Sequence, residues 1–199
     1  MIFGFELTVI FVMLLLNAVF AAYEMALASL SRARIAFLVE EHKKGAQEAT
    51  FMKDRMEASF AIIQLGITLV GALAAATGGV GVAEVFAPYL VTQWGFSKFA
   101  SEIIALIVFI IPLTFVTIVF GELVPKMFAL KHKERVILTL SPLMKFFALL
   151  FNPAIYVIET TVKKTMSLMS KRFKEAEGDD KRLRLHELKA AASHAKASR

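Results

Sequence analysis

IIALIVFIIPLTFVTIVFGELVPKM, residues 103–127, carries no charge until Glu122. A run of about 19 uncharged residues is long enough to cross a bilayer as a helix. Glu122 then stands at the end of that span, followed by Leu123, Val124, Pro125 and Lys126. Carboxylates at such positions are rare, because an unpaired ion there is costly. They usually face a bundle interior and bind a cation, a proton or a counter-ion. Gly121 and Pro125 are expected to interrupt the helix and leave backbone carbonyls without donors. A carboxylate beside freed carbonyls is what a hard cation needs. The competing reading pairs Glu122 with Lys126 at i,i+4, with both side chains snorkelling to the interface.

Composition supports a membrane setting. Hydrophobic residues make up 57% of the 199-residue chain, and mean hydropathy is +0.64, more than a soluble core needs. No cysteine is present, which excludes disulfides and thiolate metal sites. The net charge of +6 lies in basic flanks beside apolar runs, with few aromatics interleaved. That pattern fits anionic lipid and membrane topology rather than nucleic acid.

Outward from the third span, two more spans are expected. The first, about 5–31, has an uncharged run between Glu6 and Glu24. No Lys or Arg precedes it, so it reads as an uncleaved helix and not a signal peptide. The second is residues 58–83, which the Gly78–Gly81 cluster is expected to end; residues 84–102 are then a connector. The third is 103–124, with a kink expected at Pro112. Residues 32–57 and 132–172 read as juxtamembrane helices. The segment 136–158 is broken by Lys145, Ser141-Pro142 and Asn152-Pro153, and is expected to lie in or dip into the inner leaflet. A fourth crossing there would put the later lysines on the wrong side. The positive-inside rule places the N-terminus outside and the C-terminus in the cytoplasm of a multi-pass protein of the cell membrane. The fold class is therefore an all-α membrane protein. It has three transmembrane helices and a belt of juxtamembrane and inner-leaflet helices within a domain 1–172. Residues 173–199 read as a linker and the start of a cytosolic helical region. The chain is expected to be a fragment of a longer one.

Two intramembrane acids, Glu24 and Glu122, stand near the inner ends of their helices under this topology. Neutral oxygen donors surround them in sequence: Asn17, Ser29, Gln64, Thr68, Thr114, Thr117 and carbonyls near Gly66 and Gly121. Oxygen-only ligation suits magnesium, calcium or sodium. Glu24 has an alternative role as a structural partner of Lys126, Arg32 or Arg34. The four histidines are isolated in polar segments, and no nucleophile motif, phosphate loop or metal-hydrolase spacing occurs. Enzymatic chemistry is not expected.

Residues 24–35, Glu24-Met25-Ala26-Leu27-Ala28-Ser29-Leu30-Ser31-Arg32-Ala33-Arg34-Ile35, come after a first span. Gly121-Glu122-Leu123-Val124-Pro125-Lys126 closes a third. Together they resemble the CNNM transmembrane domain of the CorC/HlyC, or hemolysin-like, magnesium-transporter family. The resemblance covers most of residues 1–170. It implies the three-span fold, a homodimer formed through the membrane domain, and a cut before the cytosolic CBS pair of full-length members. It also implies magnesium efflux, with sodium as a coupling ion. In the magnesium-binding members the resemblance points to, ligands come from helix-one hydroxyls, a helix-two asparagine and carbonyls, and the helix-three glutamate. Glu122 matches the last. Ala21 and Tyr23 stand at the hydroxyl positions, and Gly66-Ile67 replaces the Gly-Asn pair. Residues 63–71 resemble instead hemolysin-like members, some linked to polyamine export. The expected metal ligands are accordingly Glu122, Gly66, Thr68, Gln64, Glu24 and Ser29. Two alternatives remain: export of putrescine or cadaverine, or a non-transporting anchor that regulates a partner channel.

Overall fold

The computed structural model describes residues 2–158 and 160–167. Among these every element is helical. The expected linker and cytosolic helix of residues 173–199 lie outside the described residues.

Helix α1 (Ile2–Ser29) leads to α2 (Arg32–Glu40), whose first turn is capped by Ser31 accepting a hydrogen bond from the Arg34 N–H. Gly45, at φ 84°, starts α3 (Ala46–Asp54). A Cβ there would run into the Leu138 carbonyl, so only glycine fits both the backbone and the space. Helix α4 (Met56–Trp94) ends at Gly95 in the left-handed region. Ser97 caps α5 (Lys98–Val116), which passes into a π-helical segment (Thr117–Leu123) and then α6 (Val124–Lys131). Helix α7 (Lys133–Leu150) comes next. Residues 153–158 and 160–167 belong to a second unit and are helical.

Three helices are long and apolar enough to cross a membrane: residues 4–29, 56–94 and 98–131. The three-span reading therefore stands, with corrections. The Gly78–Gly81 cluster does not end the second helix, and residues 84–94 of the expected connector are part of α4. The reason is packing. Gly78 is buried where a Cβ would collide with the Phe109 ring of α5 and reach 2.9 Å from Ile10 of α1. The glycines serve close helix approach, which drives association in membranes. Nor do Gly121 and Pro125 break the third helix; the chain stays helical from Lys98 to Lys131.

Helix α1 is the hub, packing on α4, α6, α7 and the π segment. A collar of α2, α3 and α7 lies at its end, with α3 and α7 packing on α1 and α2 packing on α3. Buried Lys53 of α3 donates to the Leu27 carbonyl at 2.7 Å, supplying a cation to the last turn of α1. Tyr23 of α1 and Ser141 of α7 share a buried hydroxyl–hydroxyl bond of 2.9 Å. The buried face of α7 holds Val136, Ile137, Ser141, Met144 and Ala148, while Leu143, Phe146, Leu149 and Leu150 are exposed.

On the outside of the collar, Arg34 grips Glu134 of α7 with two bonds, 2.7 and 3.0 Å. The guanidinium holds the Glu134 carboxyl below its usual 4.5. A lowered folded pKa contributes stability above the unfolded value, and that stability is lost as pH falls through the folded value. Thermal unfolding of the solubilised chain should therefore show Glu134→Gln as the less stable form at neutral pH. The gap should close in acid below the usual carboxylate range.

A candidate cation site at the π turn

Pro125 has no N–H, so the Gly121 carbonyl four residues earlier lacks its α-helical donor. Two features absorb this. The helix widens to the π register over Thr117–Leu123, with the Val124 N–H bonding the Val119 carbonyl. Such turns recur at functional sites. From α1, Asn17 then donates its Nδ2 to the Gly121 carbonyl at 3.2 Å. Gly121 is buried; a Cβ on it would stand 3.0 Å from both Asn17 Nδ2 and Leu14 Cδ1. A glycine is needed here for α1 to approach.

Asn17 is only 2% exposed, and its Oδ1 has no hydrogen-bond partner among the described residues. A buried acceptor left unmatched costs about 1–3 kcal/mol. The same side chain lines a cavity of about 40 Å³ between α1, α4 and α5, together with Thr117 and Gly71. That is room for one water, with Asn17 and Thr117 the polar side chains of an otherwise apolar wall.

Glu122 lies within the π turn, half-buried. It makes no ion pair or hydrogen bond among the described residues. The i,i+4 pairing with Lys126 is not formed. A π turn rotates the residues after it, so side chains four apart no longer stack. Lys126 instead approaches Glu24 of α1, Nζ to Oε2, at 2.9 Å. It does so as a charge, without hydrogen-bond alignment at that oxygen. Glu24 is thus compensated within the chain, in the structural role considered for it, and Glu122 is not.

The other expected ligands are scattered. Gly66 is buried against the Phe20 ring of α1, 2.7 Å from where its Cβ would be. Gln64 and Thr68 are each two residues from it, about 200° round the helix. They are exposed, and Gln64 Nε2 meets Thr68 Oγ1 at 3.5 Å. Ser29 donates to the Ala26 carbonyl of its own helix at 3.3 Å. Among the described residues no three His, Asp or Glu side chains converge on a point. The oxygens of the π turn and of the residue that clamps it are the Glu122 carboxylate, the Thr117 hydroxyl, the Asn17 amide and backbone carbonyls, with Glu122 outside the cavity that Asn17 and Thr117 line. Such a set fits a hard cation that keeps part of its water and must be released again.

Asn17 stands among the neutral donors of the sequence but not among the expected ligands. Its signal is being the one amide in the first apolar run. The spacing of Gly121 and Pro125 marks the missing donor.

Three long apolar helices with a collar of shorter ones define a multi-pass, membrane-embedded helical domain. The chain belongs to the CNNM family: the model described as "Cyclin M transmembrane N-terminal domain" matches residues 8–199. Domains of this family are transport or structural modules and not enzymes. Similar relatives include a UPF0053 protein of Synechocystis, sll0260, 33% identical over 86% of this chain and 38% of its own length. The UPF0053 protein YrkA of Bacillus subtilis is 31% identical over 73% of this chain and 34% of its own. The chain spans little more than a third of the curated relatives it matches.

Proposed function

We propose that this domain exports a divalent cation, with magnesium the ion best suited to its oxygen-only donors and sodium the counter-moving ion. Glu122 is the charged ligand, Asn17 Oδ1 and backbone near Gly121 are neutral ones, and Gly66 holds α1 against α4. The observation that carries this reading is a half-buried carboxylate without a partner, next to the residue whose carbonyl is held by an amide with an unmatched oxygen. Gln64, Thr68 and Ser29 complete a shell only if the helices shift during the transport cycle. We place the N-terminus outside the cell membrane and the collar in the cytoplasm, on the strength of the basic residues of the collar. The working unit is a homodimer, supported by the third span being the least buried within one chain.

The Glu24–Lys126 pair bears on the alternatives. A diamine wants two free carboxylates, and this pair leaves one, which weighs against polyamine export. The same pair favours a purely structural anchor, where acids are tied up by bases. The test is efflux from magnesium-loaded vesicles carrying the chain. Efflux above protein-free vesicles, unaffected by putrescine, supports magnesium export. Putrescine competition would move the reading to polyamines, and no flux of either would leave the anchor.

A further inference from the structure

At the far end of α5 from Glu122 there is a second cavity, which the transport reading does not use. It has a volume of about 500 Å³ and lies between the end of α4 and the start of α5. Its wall includes Ala87, Pro88 and Val91; its charged lining is Glu84 from α4 with Lys98 and Glu102 from α5. Lys98 begins a continuous helix, and Glu122 is about 36 Å further along it. That exceeds the hydrocarbon thickness of about 30 Å, so the cavity sits at the opposite membrane–water interface. Tyr89, Trp94 and Phe99, on the two helix ends that form it, are each more than half exposed, as interface aromatics are.

Three charges of both signs line this cavity, yet Lys98 pairs with neither acid among the described residues. Pairing among such surface charges would add little over hydration, so all three stay free to meet a ligand. A ligand carrying both charges on an apolar tail satisfies all of them together. The geometry points to a binding site for a zwitterionic phospholipid with a primary amine, a phosphatidylethanolamine. Its ammonium is held by Glu84 and Glu102, its phosphate by Lys98, and an acyl chain lies along Ala87, Pro88 and Val91. A primary ammonium donates hydrogen bonds to carboxylates, and such charge-assisted bonds are the strong ones. Choline has no N–H to donate. An anionic glycerol headgroup meets two acids and one base and is repelled.

The chain's single tryptophan is Trp94, which lies three residues beyond Val91 and seven beyond Ala87 of the cavity wall, on the same face of α4, and so can report on a bound acyl chain. The full chain in detergent is titrated with phosphatidylethanolamine carrying bromine-labelled acyl chains, and Trp94 quenching is read. The same chains on choline and glycerol headgroups are the comparison. The expected result is half-quenching by the ethanolamine lipid at roughly tenfold lower mole fraction than by the other two. Glu84→Gln and Glu102→Gln should each move it toward the choline lipid, and Lys98→Gln should weaken it, while Glu102→Asp should keep binding. Circular dichroism shows whether each variant is folded. Equal quenching by the three headgroups would overturn the proposal, as would folded Gln variants that all bind like wild type.

Discussion

Glu122→Gln is expected to lower magnesium efflux from loaded vesicles by at least about tenfold, with the helical content and assembly of the protein unchanged. A dication moving through hydrocarbon needs negative charge beside it. Glu24 is already held by Lys126 at 2.9 Å, so of these two acids Glu122 is the one without a partner among the described residues. Gln keeps the shape and one carbonyl oxygen but removes the charge. Losing a hydrogen bond or ligand contact from a charged group is worth about 1.5–3 kcal/mol, and each 1.4 kcal/mol is about a factor of ten. Unchanged efflux in a folded Glu122→Gln protein would remove this residue from the mechanism. The same experiment on Glu24→Gln should give a different pattern. Lys126 then loses its partner, and the loss should appear first as reduced stability where α1 meets α6.

The second large effect is expected at Asn17. Replacement by Leu, of similar size, should destabilise the chain by up to about 2 kcal/mol, because the Gly121 carbonyl loses this donor while removal of the unmatched Oδ1 offsets part of the loss. It should also reduce efflux, since the unmatched Oδ1 disappears with the amide. Asn17→Asp separates the two roles. It keeps an acceptor and adds charge but cannot donate to the Gly121 carbonyl when ionised. A chain that loses stability with Leu and regains ion binding, though not stability, with Asp would fit a residue that both clamps the π turn and faces the ion. Wild-type stability in both Asn17→Leu and Asn17→Asp, the latter keeping the acceptor but not the donor, would mean the 3.2 Å bond contributes nothing.

The three spans are legible in the sequence because hydropathy and length suffice for them. Their limits are less so. Gly78–Gly81 reads locally as a terminator, but the residues that turn it into a packing seam, Phe109 and Ile10, belong to other helices. The same holds at the site. Gly121 and Pro125 announce a carbonyl without a donor, and that much is visible in one heptapeptide. That the donor comes from Asn17, 104 residues away, is tertiary information. The Glu122–Lys126 pair fails for a related reason: the i,i+4 rule assumes an α-helix, and here the backbone is π-helical. Gln64 and Thr68 are candidates by residue type within the second span. Helical geometry puts them across the helix from Gly66, which packs on α1.

The central claim is that the free carboxylate at the π turn receives the cation. Crystals of the full chain soaked with manganese, which takes magnesium's oxygen ligands and scatters anomalously, test it most directly. The account predicts an anomalous peak in ligand contact with a Glu122 oxygen and lost in Glu122→Gln. Manganese bound elsewhere, with Glu122 paired to a basic side chain or fully hydrated, would contradict it.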